Sequence, residues 1–400
     1  MPVKESDPRP IRTWLPIILV ARTTLNISYR IIYPFLPSIA RGLGISLTEA
    51  GLLVTLRQAA GLAGPFLGPV ADRSNRRSVM ELALLLFTLA SLLLAGVGTL
   101  PAAAIAFVVY GLAKILYDPT MHAYIGDTVP YPGRGRIIGI AEMAWSAAWL
   151  IGVPASGFLI ERLGWRAPWA ILIGLGLFSV VLTRIGLPLG RRPVATLGNT
   201  RPVAALIATW RDLLRQRRVV VLFLVCLLIT IASEAPFIVY GAWLETTFGL
   251  SLSTLGLASM VVGVAEAVAE LGTALLTDRL GKRRSVLIGL FGLVASLLLL
   301  PLLTRLGLAA ALSGVVLITL SFEFGIVSLL PLATELMPEA RASLMSLAMT
   351  AFGLGRILGA VAGGLLWQWQ GGTIAINAWG GAACALLAAV LMLRGMVEPK

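Results

Sequence analysis

The segment Gly68-Pro-Val-Ala-Asp-Arg-Ser-Asn-Arg-Arg77 is a short basic turn set between two long apolar runs. A second turn of the same kind, Ala274-Leu-Leu-Thr-Asp-Arg-Leu-Gly-Lys-Arg-Arg284, also joins two apolar runs. Their aspartates, Asp72 and Asp278, stand 206 residues apart, about half the chain. A doubled basic turn between hydrophobic segments points to a membrane protein built from two related halves.

Working outward, composition fits that class. Charged residues make up 13% of the 400 and hydrophobic ones 58%, where soluble domains carry about 25% charge. Apolar windows of roughly 20 residues, long enough to cross a bilayer, recur along the chain. The net charge of +13 does not mark a nucleic-acid binder, because its basic residues sit in short loops where lipid headgroups would meet them. Cys226 and Cys384 lie in apolar runs and read as small hydrophobes rather than a disulfide. His122 is the one histidine, so a histidine metal cluster is excluded. The chain has no phosphate-cradling Gly-x-x-x-x-Gly-Lys-Ser/Thr loop, and no cofactor is expected. The polar first dozen residues show no cleavable signal; the first span would act as the membrane signal.

Twelve helical spans follow: 13–36, 49–71, 79–98, 102–125, 137–160 and 168–188, then 219–241, 253–277, 285–304, 308–333, 343–366 and 373–393. Their continuous apolar runs oppose a barrel, which would alternate over about ten residues. The expected fold is an all-α polytopic membrane protein, with an N-terminal six-helix bundle over 1–188, a basic linker over 189–218 and a C-terminal six-helix bundle over 219–400. Within the linker, 203–216 reads as a surface helix. Of the 32 Lys and Arg, only Arg41, Arg162, Arg166 and Arg305 fall in outer loops if both termini are inside. The positive-inside bias therefore sets both termini in the cytoplasm.

The half-repeat extends beyond the basic turns. Gly44-Ile-Ser-Leu-Thr-Glu-Ala-Gly51 recurs as Gly249-Leu-Ser-Leu-Ser-Thr-Leu-Gly256, and Asp127, Pro130 and Arg134 are echoed by Glu335, Pro338 and Arg341. Parallel halves of this kind are a transporter architecture.

On these residues the chain resembles the major facilitator superfamily across all twelve spans. Gly68, Asp72, Arg73, Arg76 and Arg77 look like the family's signature loop between spans two and three, with Asn75 in place of the usual glycine. The second copy keeps Gly281 but has Ala274 where the leading glycine stands. The run Pro119 to Gly139 is similar to the family's region between spans four and five. Two features of its drug-exporter branch are altered: Phe107 replaces the span-four arginine, and the span-five motif reads Gly152-Val-Pro154-Ala-Ser-Gly157. The resemblance implies secondary transport by alternating access, with Asp72, Arg73, Arg76 and Arg77, and in the other half Asp278, Arg279, Arg283 and Arg284, clasping an inner gate.

Charges inside spans are costly in hydrocarbon and face a cavity or a partner. Span one carries Arg22, Asn26 and Arg30 on one face, with Tyr29 and Tyr33; span two adds Arg57; span four adds Lys114, Asp118 and His122 at four-residue spacing. Span five has Glu142. The second half has Glu234, Glu266 and Glu270, Glu323 and Arg356. A base-rich first bundle facing an acid-rich second one would suit a cavity that holds a polar solute or couples to protons. Gly353, Gly355, Gly359 and Gly363 give span eleven a close-packing face. Trp14, Trp165, Trp169, Trp243 and Trp367 lie near span ends and read as interfacial anchors.

The expected function is secondary transport of a small solute by a monomer in a bacterial inner membrane, first as proton-coupled export of a drug-like or metabolite substrate. Proton-coupled uptake of a small organic anion or nutrient stays open, as does a receptor or scaffold without transport. A single histidine and scattered serines assemble no nucleophile–base pair, so an enzyme is not expected.

Overall fold

The computed structural model describes residues 10–63, 74–188, 210–337, 341–369 and 371–396. Within them the chain is helical, without strands. The first half runs α1 (Ile11–Arg30, then Ile32–Leu43), α2 (Leu47–Gly61), α3 (Arg76–Gly96), α4 (Leu100–Thr128), α5 (Tyr131–Glu142 through to Val153–Leu163) and α6 (Ala167–Gly186). The second half runs α7 (Arg217–Phe237, then Tyr240–Phe248), α8 (Leu252–Ala258, then Met260–Leu280), α9 (Lys282–Arg305), α10 (Leu308–Leu336), α11 (Arg341–Trp369) and α12 (Ile374–Gly395). Ten are long and apolar enough to cross a membrane, and α1 makes an eleventh if its bent pair is one span. The described part of α2 is 15 residues. Residues 189–209 of the basic linker, with the first half of the expected 203–216 helix, lie outside the described residues, and 210–213 is helical.

Outer faces are greasy. On α3 the exposed side chains Leu82, Leu85, Leu89 and Leu92 form one stripe at helical spacing, while Ala83, Phe87, Ala90 and Leu94 are buried on the other face. An apolar exposed stripe is what lipid, not water, stabilises.

Proline sets the bends. α1 turns by 59° at Ile31. Pro34 has no N–H to donate to the Arg30 carbonyl, and its ring crowds that carbonyl, so the ladder breaks there. α7 breaks after Phe237, one residue past Pro236. There Asn377 on α12 donates from Nδ2 to the carbonyls of Ala235 and Gly363, 2.8 Å each, tying α7, α11 and α12 together. α5 carries a π-helical turn at Ala148–Gly152 just before Pro154, the wider turn that absorbs a missing donor.

The half-repeat has a physical basis. Gly44 ends α1 and Gly249 ends α7, both left-handed at φ of 68° and 63°. Two residues on, Ser46 and Ser251 cap the next helices, accepting from Glu49 N and Thr254 N; only glycine takes the first position without strain. The basic turns repeat as well. Arg77 donates to the Leu187 carbonyl at 3.0 Å and Arg283 to the Leu393 carbonyl at 3.0 Å. Arg76 pairs with Asp127 and Lys282 with Glu335. Each half thus clamps the start of its third helix to the end of its sixth.

An even number of passes gives the molecule a terminal end, carrying both chain termini, and a far end. At the far end the halves are in backbone contact. A Cβ on Gly157 of α5 would lie 2.4 Å from the Leu252 carbonyl oxygen of α8, and one on Gly241 of α7 would lie 1.9 Å from the Pro34 carbonyl oxygen of α1. The Glu161 carboxylate accepts from the Ser253 backbone N–H at 2.7 Å, and Arg41 pairs with Glu245 at 2.9 Å.

Four tryptophans depart from the interfacial expectation. Trp14, Trp169, Trp243 and Trp367 are buried in protein. Trp14 meets Tyr124 edge-on at 5.6 Å, Trp169 tilts on Tyr110, and Trp243 sits between Tyr240 and Phe248. Position near a span end was the signal; helix–helix packing overrode it. The glycine face of α11 falls as expected: Gly355, Gly359 and Gly363 lie against α7, and Gly353 faces Leu62. Cys226 and Cys384 are both free.

Candidate functional site

A cavity of about 870 Å³ lies between the halves. Its wall runs to Leu62, Thr120, Leu330 and Ser346 toward the terminal end and stops at Tyr33 and Phe237 below the far-end contacts. Arg30, Arg57, Lys114, Asp118, Glu142, Glu234, Glu266, Glu270, Glu323 and Arg356 all line it. Arg22 and Asn26 stand behind the wall, in contact with its Asp118, Glu142 and Lys114.

The first half holds one polar cluster. Arg22 Nε is 3.5 Å from Asp118 Oδ1, and its terminal nitrogen donates to Glu142 Oε2 at 2.8 Å. Lys114 pairs with Asp118 Oδ2 at 2.9 Å and donates to the Asn26 side-chain oxygen. His122 Nε2 lies 2.9 Å from Glu142 Oε1. The Lys114 ammonium also sits 4.1 Å from the Trp145 ring centroid. The i,i+4 pair Lys114–Asp118 follows from helical spacing; the sideways reach to Arg22 does not. These acids match Arg22 and Lys114 within their own half and leave Arg30 and Arg57 facing the acids of the second half.

A second cluster joins the halves. Arg30 of α1 donates to Glu266 Oε1 of α8 at 2.5 Å, and the Trp149 indole N–H reaches the same oxygen at 3.3 Å. The Arg30 guanidinium carbon is 4.6 Å from the Trp145 ring centroid and 5.2 Å from that of Trp149. Beside it the Tyr33 hydroxyl donates to Glu234 Oε1 at 3.0 Å, and Arg356 stands 3.8 Å from Glu234 Oε2. Among the described residues Glu270 and Glu323 have neither a hydrogen bond nor an ion pair. Arg57 is 1% exposed, lies over the Tyr29 ring at 4.0 Å, and has, among the described residues, no acceptor for any of its three side-chain nitrogens.

The arrangement suits movement of a solute rather than bond chemistry: a closed far end, a central cavity, and an ion pair that joins α1 to α8 across it. A family model described as Major Facilitator Superfamily matches residues 18–360 and 222–400. The chain belongs to the major facilitator superfamily. It is a multi-pass membrane transporter, not an enzyme. It is 25% identical over 289 residues to the uncharacterized MFS-type transporter YwfA of Bacillus subtilis, covering 71% of this chain and 69% of that one. It is 29% identical over 153 residues to Multidrug resistance protein 2 of Bacillus subtilis, 38% of each chain. The crystal structure of a D-xylose–proton symporter superposes with a TM-score of 0.77 at 18% identity, over 97% of this chain and 98% of that one; at that identity the likeness is one of fold.

Of the residues singled out in the sequence, the structure gathers every intramembrane charge into or just behind this one cavity. Gly68, Asp72 and Arg73 lie outside the described residues. Asn75 caps α3, its side chain accepting from Arg77 N, and Arg77 also bonds Glu81 at 2.7 Å. Asp278, Arg279 and Arg284 are exposed at the terminal end. Tyr29, Tyr33, Trp145 and Trp149 were not singled out as site residues. The signal was helical spacing in each case: Tyr29 and Tyr33 share the Arg22 and Arg30 face of the first span, and Glu142, Trp145 and Trp149 fall on one stripe at three- and four-residue spacing.

Proposed function

We propose that this transporter exports a small solute in exchange for protons, by alternating access, as a monomer in a bacterial inner membrane with both termini in the cytoplasm. Residues 1–188 and 219–400 form the two moving bodies, joined by 189–218. The observation that carries the coupling is the Arg30–Glu266 pair, a single strong ionic contact across the cavity at 2.5 Å. While Glu266 is charged, it holds Arg30 and with it the two bodies. A proton on Glu266 cancels that charge, and the bodies can then part at this level. Glu270 shares a helix face with Glu266, and Glu323 lines the same space; both are further proton acceptors near the coupling carboxylate. With the termini in the cytoplasm, the described state is the inward-facing one. The basic turns, with Gly68, Asp72, Arg73, Arg76 and Arg77 in one half and Asp278, Arg279, Arg283 and Arg284 in the other, close the cytoplasmic end in the opposite state. Export is the direction favoured by a relative that bears a multidrug-resistance name.

The test is a solute screen in inside-out vesicles with an acidic interior. Solute accumulation that collapses with the pH gradient supports the reading. E266Q should keep solute exchange and lose the response to the gradient. Gradient-independent flux in the parent, or full gradient drive in E266Q, would overturn it. Gradient-driven flux toward the cytoplasm would reassign the chain to symport.

A further inference from the structure

Among the described residues the ionic contacts of the cavity leave two carboxylates, Glu270 and Glu323, and one cation without a direct partner, and of the three only the cation has every polar side-chain atom buried. Arg22 is matched by Asp118 and Glu142, Lys114 by Asp118, Arg30 by Glu266 and Arg356 by Glu234. Arg57 has no carboxylate and, among the described residues, no acceptor at Nε or at either terminal nitrogen. Its backbone is fixed by a close crossing, since a Cβ on Gly111 would lie 2.3 Å from the Arg57 carbonyl oxygen. Its guanidinium is flanked by the Tyr29 ring at 4.0 Å. A buried cation without a directly bonded acceptor is costly, and an arginine fork repays that cost best with a planar oxyanion held by two parallel bonds. Opposite, the second half supplies Val262, Phe237, Phe322 and Phe352 to the same cavity, which favour an apolar body.

We infer that the cargo is an amphipathic organic acid whose carboxylate docks on Arg57, with its apolar part toward the phenylalanines of the second half. This rests on the cavity being the cargo site. It adds the charge of the cargo and names the group that reads it. Arg57 supplies the counter-charge, and Tyr29 is the surface over which the carboxylate enters. An exported anion and an imported proton both move with an inside-negative membrane potential, so the exchange is electrogenic.

The experiment uses the full chain purified in detergent and three matched probes: benzoate, benzamide and benzylamine, with 4-phenylbutyrate as a longer acid. Binding is read as ligand-induced thermal stabilisation. The two acids should stabilise the parent protein, and the amide and amine should not. In R57Q the apparent affinity for the acids should fall about ten-fold or more, the order expected for loss of a charged hydrogen-bonding group. R57K, which keeps the charge but not the fork, should recover part of it. Equal stabilisation by benzylamine or benzamide, unchanged acid binding in R57Q, or no stabilisation of the parent by either acid would each overturn the inference. Unliganded melting of R57Q and R57K separates lost binding from lost folding. The assay has no gradient, so intact acid binding with uncoupled flux would sink the proton reading alone.

Discussion

Breaking the Arg30–Glu266 pair separates a bridging contact from a bystander. The pair is at 2.5 Å, with side chains 15% and 5% exposed, so solvent screens it little. Two unit charges about 4 Å apart are worth about 4 kcal/mol at an effective dielectric near 20. Removing one partner leaves the other buried and unpaired, at a cost of about 3–5 kcal/mol. R30Q and E266Q should each destabilise by that order. The double variant should cost less than the two singles together, by about 2 kcal/mol or more. The assay is a double-mutant cycle on equilibrium unfolding in mixed micelles. Arg41–Glu245 is the control: its side chains are 58% and 27% exposed, and its coupling should fall within about 0–1 kcal/mol. Additivity of R30Q and E266Q to within about 0.5 kcal/mol would refute the reasoning, because two residues that behave independently cannot hold the halves together.

Asn377→Leu should destabilise by about 2–4 kcal/mol, since it removes both donors to Ala235 and Gly363 and leaves buried carbonyls unpaired; thermal melting of the purified protein reads it. Gly157→Val should open the far end, because even a Cβ at that position would sit 2.4 Å from the Leu252 carbonyl oxygen. A cysteine replacing the cavity residue Ser233, in a background lacking Cys226 and Cys384, should then react with an impermeant maleimide from the far side in the G157V variant and not in the glycine parent.

The fold was legible because its signals are local. Apolar run length gives the spans, and the Gly44/Ser46 and Gly249/Ser251 turns mark the same joint in each half. Lys114–Asp118 was legible for the same reason, being one helical turn apart. The bridging contact was not. Arg30 and Glu266 are separated by 236 residues, and no periodicity links them; only the approach of α1 to α8 does. Glu142 was visible as an intramembrane acid, but its two partners, Arg22 and His122, come from different helices. The tryptophans misled because span-end position and burial are independent quantities: Trp14 lies at the start of α1 and is fully buried. The break after Phe237 leaves the Ala235 carbonyl to Asn377, a side chain that comes from five helices later.

The bend in α1 makes that helix a lever. Arg30 and Tyr33, which hold Glu266 and Glu234, stand on either side of the turn at Ile31, so one joint serves both contacts. Beyond it the Ile32–Leu43 arm has 12 residues, about 18 Å at 1.5 Å per residue. Opening or closing the joint by about 10° would sweep its tip through about 3 Å at that length, comparable to the reach of a hydrogen bond. Loss of the Arg30 contact therefore does not stay in the cavity. It relaxes one side of the joint, and the arm carries the change to Arg41 and Glu245 at the far end.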